Sequence, residues 1–357
     1  MMYLLLYPLR DALFAFNVFR YITFRSALAA VTAILLSFLL GPALIRWLRR
    51  RQLGQPIRSD GPSSHQSKEG TPTMGGLLIL LALLLPVMLW ADVRKSFVWM
   101  AVGSTAGFGL IGLLDDRLKT KRGSSHGLSA ASKLALQLVL AAAVGTLLYA
   151  TSFPTTLTLP FVKDLSPDLG LFFIPFTVLV LVGSANAVNL TDGLDGLAIG
   201  SAGIAMATFT LITYGAGNAV IARYLGIPFV YDAGELAIFG AAGVGACLGF
   251  LWFNAHPAEV FMGDVGSMAL GGAIGTIAVI CKQELLLVIA GGLFVVEAAS
   301  VIIQVASFRL RGRRVFKMAP IHHHFEMIGW AESKVVMRFW ILAILCSLTA
   351  LATLKLR

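Results

Sequence analysis

The residues best suited to chemistry are two adjacent aspartates, Asp115 and Asp116, which end an apolar run long enough to cross a bilayer. A carboxylate near hydrocarbon costs about 2.5–3.5 kcal/mol on insertion scales, so such acids usually face a cavity and mark a functional site. Neighbouring side chains on a helix are about 100° apart, so one aspartate can reach a substrate while the other binds a cation, Arg117 or Lys119. The alternative is a helix that ends at the membrane surface with two solvated acids.

A second polar segment follows a later apolar run. Asn186 and Asn189 are three residues apart, which places both amides on one helix face. Asp192 and Asp195 follow in the sequence Asp-Gly-Leu-Asp-Gly. Asp-Gly pairs favour tight turns, and either acid can cap the next helix, which is the alternative interpretation. That interpretation does not explain the two asparagines, and amides with carboxylates are suited to binding a nucleobase or a sugar.

A third acidic motif, Phe-Met-Gly-Asp-Val-Gly-Ser, begins at Phe261 and carries Asp264 at the start of an apolar run. An aspartate there can cap a helix, where the free N–H groups and the helix dipole favour it. It can also act with Asp115 and Asp116 as a ligand, because three carboxylates form the oxygen site that Mg²⁺ prefers when it also binds phosphate. Phe261 can stack on a base, although an aromatic at the membrane interface is the commoner case.

Three consecutive histidines, His322, His323 and His324, form the last motif. They cannot converge on one tetrahedral zinc ion as pairs four residues apart can. The loop around them is rich in Arg and Lys, so it is suited to binding phosphate and sugar hydroxyls. In the preceding apolar run, Glu297 and Gln304 belong to a polar stripe that should face the interior of a helical bundle.

The composition shows which kind of element must position these residues. Of 357 residues, 57% are hydrophobic and only 13% are charged, against about 25% charged in soluble domains. The mean hydropathy is +0.83, and ten apolar runs are each long enough to cross about 30 Å of hydrocarbon. The three cysteines lie in or beside these runs without metal or redox spacing, so they are core residues. The net charge of +10 is explained by loops on the cytoplasmic side rather than by nucleic acid.

The runs predict one all-α polytopic membrane domain covering residues 1–357, with 1–26 as an interfacial segment rather than a signal peptide. The side that carries the Asp115 loop collects eighteen of the 28 Lys and Arg residues, so the positive-inside rule makes it cytoplasmic. Both termini are then extracytoplasmic, and an active-site cleft is expected at the cytoplasmic face. The ten predicted spans end near residues 45, 90, 114, 149, 188, 214, 253, 281, 308 and 354.

Four motifs in order give a specific resemblance. They are LLDDRLK, NAVNLTDGLDG, FMGDVGS and MAPIHHHFE, which begin at Leu113, Asn186, Phe261 and Met318. Together they resemble the phospho-N-acetylmuramoyl-pentapeptide transferases of the polyprenyl-phosphate N-acetylhexosamine-1-phosphate transferase superfamily. The PIHHHFE loop is similar to this branch rather than to relatives that use UDP-N-acetylglucosamine. The resemblance implies transfer of phospho-MurNAc-pentapeptide from its UDP carrier to undecaprenyl phosphate, with Mg²⁺, at the cytoplasmic face of the bacterial inner membrane.

The resemblance also implies roles for individual residues. Asp264 is expected to bind the metal, and Asp115, supported by Asp116, to act as a base or to organise the lipid phosphate; both are further candidate ligands. His323 and His324 correspond to recognition of the sugar phosphate. The full set expected to bind substrate is Lys68, Thr73, Lys119, Lys133, Asn186, Asn189, Asp192, Gly193, Leu194, Asp195, Asn254, Phe261, Gln304, His322, His323 and His324.

Alternatives remain at this point. One is a sister enzyme that transfers N-acetylglucosamine-1-phosphate to a polyprenyl phosphate. The other is an ion-coupled secondary transporter that uses Asp115, Asp116 and Glu297, although no matching pair of interrupted helices is evident in the sequence. For the transferase, residue types do not decide between a phospho-enzyme intermediate and direct attack. Direct attack is favoured because the lipid phosphate is already anionic and needs positioning more than activation. The family suggests a homodimer.

Overall fold

The computed structural model describes residues 1–51, 70–122, 127–162 and 165–355. Over these residues the chain is helical and has no β-strand, apart from one isolated bridge between Thr156 and Asp168. The prediction of an all-α protein is therefore confirmed. The helices are α1 (Met2–Leu6), α2 (Ile22–Arg50), α3 (Gly76–Trp90), α4 (Ser96–Arg122), α5 (Ala130–Ala150), α6 (Phe173–Thr191), α7 (Leu197–Ala216), α8 (Ala219–Leu225), α9 (Leu236–Asn254), α10 (Gly263–Ile280), α11 (Leu286–Ala290), α12 (Gly292–Arg311), α13 (Ile321–Met327) and α14 (Glu332–Thr353).

The helices support the predicted membrane architecture. Within the described ranges, nine are long and apolar enough to cross a membrane: α2, α4, α5, α6, α7, α9, α10, α12 and α14. Helix α3 corresponds to the second predicted span, but it has only 15 residues, a rise of roughly 22 Å. Nine long helices and this shorter one agree with the predicted ten, so the polytopic membrane fold is confirmed.

The segment before α2 contains α1 and two short 3₁₀ turns, Tyr7–Asp11 and Phe14–Arg20. None of the residues in these three elements is buried. This accessibility suits an interfacial segment, but its position at a membrane surface stays a prediction, as does the single-domain assignment.

Helix α10 lies at the centre of the bundle. All of its residues from Val265 to Ile280 are buried. Small residues allow the neighbouring helices to approach its backbone closely. A Cβ atom on Gly76 of α3 would stand only 2.1 Å from the backbone nitrogen of Gly266. This close packing fixes the position of the helix whose first turn carries Asp264.

The end of the third span differs from its prediction. The sequence predicts an end near Leu114, whereas α4 continues to Arg122. Asp115 and Asp116 therefore lie inside a helix, and each is only 3% exposed. The apolar pattern stops at the first charge, but the helix does not, because Lys119 pairs with Asp115 at 2.7 Å one turn later. The interpretation as a helix end with two solvated acids is wrong.

The ninth predicted span is divided into α11 and α12 at Gly291. The link that precedes it, residues 282–284, is buried although two of its three residues are charged, and Lys282 is only 1% exposed. The Lys282 ammonium pairs with Glu284 at 3.0 Å and lies 4.7 Å from the centroid of the Phe173 ring. A carboxylate and a cation–π contact therefore take the place of water around this charge.

A buried ion pair joins three helix ends near the start of α4, at the opposite end of that helix from Asp115. The Arg25 guanidinium donates two hydrogen bonds to the Glu235 carboxylate, at 2.8 and 2.7 Å. The backbone N–H of Asp92 donates to the same carboxylate at 2.8 Å. The Arg25 and Glu235 side chains are only 2% and 10% exposed. Because water is largely excluded, each charge is compensated by the other.

Replacing Glu235 with alanine should lower the free energy of unfolding by about 3–5 kcal/mol, because it leaves the Arg25 charge buried without a partner. Denaturant unfolding of the purified protein in mixed micelles measures this change. Asp11→Ala is the matched control, since that carboxylate is 89% exposed and lies 3.8 Å from Arg10. Equal unfolding midpoints for the two variants would contradict the prediction.

Candidate active site

The three aspartates identified in the sequence meet at one end of the bundle. Asp115 and Asp116 lie on α4, and Asp264 lies in the first turn of α10. Each offers a carboxylate oxygen, and these oxygens lie within 4.8 Å of one another. The backbone N–H of Val265 donates to Asp116 Oδ2 at 3.2 Å, which joins the two helices beside the cluster. The arrangement is an oxygen-rich site of three carboxylates.

Two lysines lie between these carboxylates. Lys119 Nζ is 2.7 Å from Asp115 Oδ2 and 3.0 Å from Asp264 Oδ2. Lys133 Nζ, from α5, is 2.5 Å from the same Asp264 oxygen and 3.6 Å from Asp115 Oδ2. The two ammonium groups balance two of the three negative charges. Cations from two helices, α4 and α5, therefore converge on the carboxylates at this end of the bundle.

Asp264 is held in a fixed orientation from α6. Asn189 Nδ2 donates to Asp264 Oδ1 at 2.9 Å and contacts the Ser267 hydroxyl at 2.8 Å. Helix α10 has Met262 as its N-cap, without a side-chain cap hydrogen bond. The interpretation of Asp264 as a helix cap is therefore wrong, and its carboxylate faces the other aspartates instead.

Glycines provide the space around the carboxylates. A Cβ atom on Gly112 would lie 2.2 Å from the backbone oxygen of Asp264. Gly263 has a φ of +70°, and a Cβ there would meet Asp116 Oδ2 at 2.5 Å and the Thr73 hydroxyl at 2.9 Å. Thr73 therefore lies beside the acidic cluster, where the sequence predicted a binding residue. Glycine is needed at both positions for α4 and α10 to bring their acids together.

Asp192 is a further carboxyl beside this cluster. It follows the last residue of α6. Burial raises the pKa of its carboxyl well above the usual range, and repulsion by Asp264 and Asp116 adds to the effect. The negative charge that Lys119 and Lys133 leave unbalanced among the three aspartates of the cluster fits a hard divalent cation such as Mg²⁺, which binds oxygen ligands and keeps places for phosphate oxygens.

A second network connects the 192–196 segment to the loop after α9. Asn254 Oδ1 accepts a hydrogen bond from the Gly196 N–H at 3.1 Å, and Asn254 Nδ2 donates to the Val260 carbonyl at 2.9 Å. Asp195 Oδ2 lies 3.1 Å from His256 Nδ1. These contacts fix the two loops relative to each other, although the sequence predicted substrate contacts for Asp195 and Asn254.

The three histidines lie on α13 in three different environments. His322 is fully buried, and its Nδ1 lies 3.0 Å from Glu297 Oε2. His323 Nδ1 lies 2.8 Å from Glu326 Oε2. His324 Nδ1 accepts the Lys317 N–H at 3.1 Å. His323 and His324 are half-buried and thus more accessible than His322.

The histidine helix touches the 192–196 segment. A Cβ atom on Gly193 would stand 2.2 Å from His322 Nε2, so only glycine fits beside that ring. Leu194 is buried in an apolar cluster with Phe339 of α14, against which Phe325 of α13 packs. Two motifs more than a hundred residues apart in the sequence are therefore in direct contact.

Some predicted site residues have other contacts. Asn186 donates to Gln137 Oε1 at 2.8 Å and to the Val182 carbonyl at 2.8 Å, and so connects α6 with α5. Gln304 binds the backbone of the basic loop: its Oε1 accepts the Phe316 N–H at 2.9 Å and its Nε2 donates to the Phe316 carbonyl at 3.0 Å.

Two further predicted residues remain to be located. Phe261 has a half-buried side chain and pairs through its backbone with Pro72 and Gly75, at 2.8 and 2.9 Å. Lys68 lies outside the described residues. Four residues near the site were not predicted from the sequence: Gln137, Ser267, His256 and Glu332, whose Oε1 accepts the Asp195 N–H at 2.9 Å. Only Gln137 could have been noticed, as a lone amide in an apolar run.

The polytopic membrane fold and the acidic cluster suit an enzyme of the phospho-sugar transferase class, and comparisons with known proteins show that class. A family model described as glycosyl transferase family 4 matches residues 98–282, about half of the chain. A signature of phospho-N-acetylmuramoyl-pentapeptide-transferase matches residues 68–80. The chain belongs to the phospho-N-acetylmuramoyl-pentapeptide-transferase family. The resemblance seen in the four motifs is therefore confirmed, and the interpretation as a secondary transporter is wrong.

The relatives resemble this chain over its entire length. Phospho-N-acetylmuramoyl-pentapeptide-transferases from Citrifermentans bemidjiense and Desulfotalea psychrophila are each 56% identical to it, over 100% of both chains. The same enzyme from Pelobacter propionicus is 54% identical, also over 100% of both chains.

Proposed function

We propose that this transferase moves phospho-MurNAc-pentapeptide from UDP-MurNAc-pentapeptide to undecaprenyl phosphate, which forms lipid I and releases UMP. The observation that carries the proposal is the cluster of Asp115, Asp116 and Asp264 with Lys119 and Lys133. The reaction joins two anionic phosphates, so its site must neutralise charge and align the reacting groups. The names of the relatives supply the sugar and its peptide.

The proposal includes Mg²⁺. Asp264 is its first ligand in this proposal, and Asp115 and Asp116 are further candidates, because all three present carboxylate oxygens to the same space. When bound, Mg²⁺ neutralises and orients phosphate oxygens. Asn189 holds Asp264 in place through the 2.9 Å hydrogen bond, so the ligand is oriented in advance.

The phosphoryl transfer is proposed to take place in one step. An oxygen of the lipid phosphate attacks the phosphorus that carries the sugar, and the bond from that phosphorus to the bridging oxygen breaks. The bridging oxygen leaves with UMP, so no phospho-enzyme forms. Asp115 orients the incoming lipid phosphate, and Asp116 supports it. Lys119 and Lys133 balance the charge of the phosphates, because their ammonium groups already lie among the carboxylates.

The nucleotide-sugar pocket is proposed to lie beside this cluster. The 192–196 segment, Phe261 and Thr73 form its walls, and Phe261 offers a ring on which the uracil can stack. His323 and His324 bind the sugar phosphate, since they are more accessible than His322. Lys68, Asn254 and Gln304 are further predicted members of this pocket.

The basic residues support a location for this site. The loops on the Asp115 side carry eighteen of the 28 Lys and Arg residues, so this face is proposed to be the cytoplasmic face of the bacterial inner membrane. Both termini are then extracytoplasmic. A homodimer, implied by the family resemblance, is also part of the proposal, and light scattering of the purified protein in detergent tests it.

Radiolabelled lipid product formed by the purified protein tests the proposed substrates. We expect product with UDP-MurNAc-pentapeptide and undecaprenyl phosphate in the presence of Mg²⁺. We expect little or none with UDP-N-acetylglucosamine, or with the correct substrates after removal of divalent cations. Preference for UDP-N-acetylglucosamine would instead support the sister activity.

The same preparation tests direct attack. If the lipid phosphate is the nucleophile, a stoichiometric amount of enzyme should release no UMP until undecaprenyl phosphate is added. A burst of UMP without the lipid would contradict direct attack and support a phospho-enzyme.

A further inference from the structure

Two buried polar side chains near the site have no role in the mechanism described so far. Glu297 on α12 and His322 on α13 are both 0% exposed, and Glu297 Oε2 lies 3.0 Å from His322 Nδ1. Facing a carboxylate, Nδ1 is the hydrogen-bond donor, which fixes the orientation of the ring. Burying a carboxylate inside a bundle is costly, so a residue that only filled space here would be apolar.

The other edge of the His322 ring faces the nucleotide-sugar segment. His322 Nε2 lies so close to Gly193 that a Cβ atom there would be 2.2 Å away. Within the described part of the chain, His322 Nε2 and Glu297 Oε1 have no hydrogen-bond partner. The ring is therefore held by Glu297 on one side and supports Gly193 on the other.

The contact lies next to residues that bear on substrate binding. Gly193 is preceded by Asp192, whose carboxyl interacts electrostatically with Asp264 and Asp116. The ring that follows His322 in α13 belongs to His323. A displacement of the His322 ring would therefore move the Gly193 segment, which forms one wall of the proposed pocket, together with the start of α13.

We propose that Glu297 is a positioning residue for the sugar-nucleotide substrate: through His322 it holds the Gly193 segment at the distance that binding requires. Glu297 touches no substrate in this proposal. The inference rests on the proposed function, because it assigns the 192–196 segment to the UDP-sugar pocket.

The test compares Glu297→Ala and Glu297→Gln in the purified, full-length enzyme. Alanine removes the acceptor for His322 Nδ1, and we expect the KM for UDP-MurNAc-pentapeptide to rise at least tenfold. The kcat and the KM for undecaprenyl phosphate should stay within threefold of the original values. Glutamine keeps a carbonyl acceptor and should restore the KM for the UDP-sugar to within threefold.

Ser300→Ala is the matched control. Ser300 is buried on the same helix, and its hydroxyl donates only to the Glu297 carbonyl at 2.7 Å among the contacts of the structure. The Ser300→Ala variant should leave kcat and both KM values within twofold of those of the unmodified enzyme. If Glu297→Ala is too unstable to purify, Gly193→Ala provides the second variant, since its Cβ displaces the same ring, and it should show the same selective rise in KM.

The outcomes separate the two proposals. If the unmodified enzyme makes no lipid product from UDP-MurNAc-pentapeptide, the proposed function fails. If it is active and Glu297→Ala changes no KM, or if both KM values and kcat worsen equally in the alanine and glutamine variants, the positioning role is overturned. A rise confined to the UDP-sugar KM and rescued by glutamine supports it.

Discussion

Replacing Asp264 with asparagine should lower kcat by about 10²–10³-fold at saturating substrates, the usual loss when a group that stabilises transition-state charge is removed. The carboxylate accepts from both Lys119 and Lys133 and is the central candidate for Mg²⁺. An amide is a weaker ligand for the metal and a weaker partner for the two ammonium groups. The metal and the two lysine side chains would therefore be held less firmly. Radiolabelled lipid formation over a series of Mg²⁺ concentrations measures the loss.

The Mg²⁺ series identifies the cause of the loss. If Asp264 binds the metal, the residual activity of Asp264→Asn should need more Mg²⁺ for half-maximal rate, and membrane insertion should be normal. Asp11→Asn removes a carboxylate that is 89% exposed and should change neither quantity. Near-normal turnover by Asp264→Asn would exclude Asp264 as the metal ligand.

The chemistry was easier to predict from the sequence than its detailed geometry. Acids such as Asp115 and Asp264 stand out because carboxylates are rare in apolar chains, so residue type alone indicates a site. The sequence could not show that Asp115 would be buried inside α4, because one of its partners, Lys133, comes from another helix and lies 3.6 Å from Asp115 Oδ2. Hydropathy measures local composition, whereas partners far apart in the sequence determine whether a charge can be buried.

The contacts of the amides and histidines could likewise not be predicted from residue type alone. Asn189 and Asn186 look equivalent in the sequence, yet Asn189 binds Asp264 whereas Asn186 binds Gln137. The difference comes from which helices pack against α6 on each face. The burial of His322 could not be predicted from the sequence either, since it depends on an acceptor, Glu297, that lies 25 residues away.

The close approach of α4 and α10 leads to the second large effect. We expect Gly112→Ala to reduce lipid product formation by about 10²-fold, the loss that follows a displacement of about 1 Å in a catalytic group. The new Cβ would stand 2.2 Å from the Asp264 oxygen and 2.6 Å from the Val265 nitrogen. Both are backbone atoms, so the helices must separate, at a cost of about 1–3 kcal/mol in stability.

Gly103→Ala is the control for this substitution. Gly103 lies on the same helix, and a Cβ there would meet no atom within 4 Å. It should therefore retain full activity, and its unfolding midpoint should be equal or higher, because alanine favours a helix over glycine by about 1 kcal/mol. Equal activity in the two variants would mean that Asp115, Asp116 and Asp264 tolerate separation. The acidic cluster would then not act as one unit, since carboxylates that bind one cation and align two phosphates must keep their spacing.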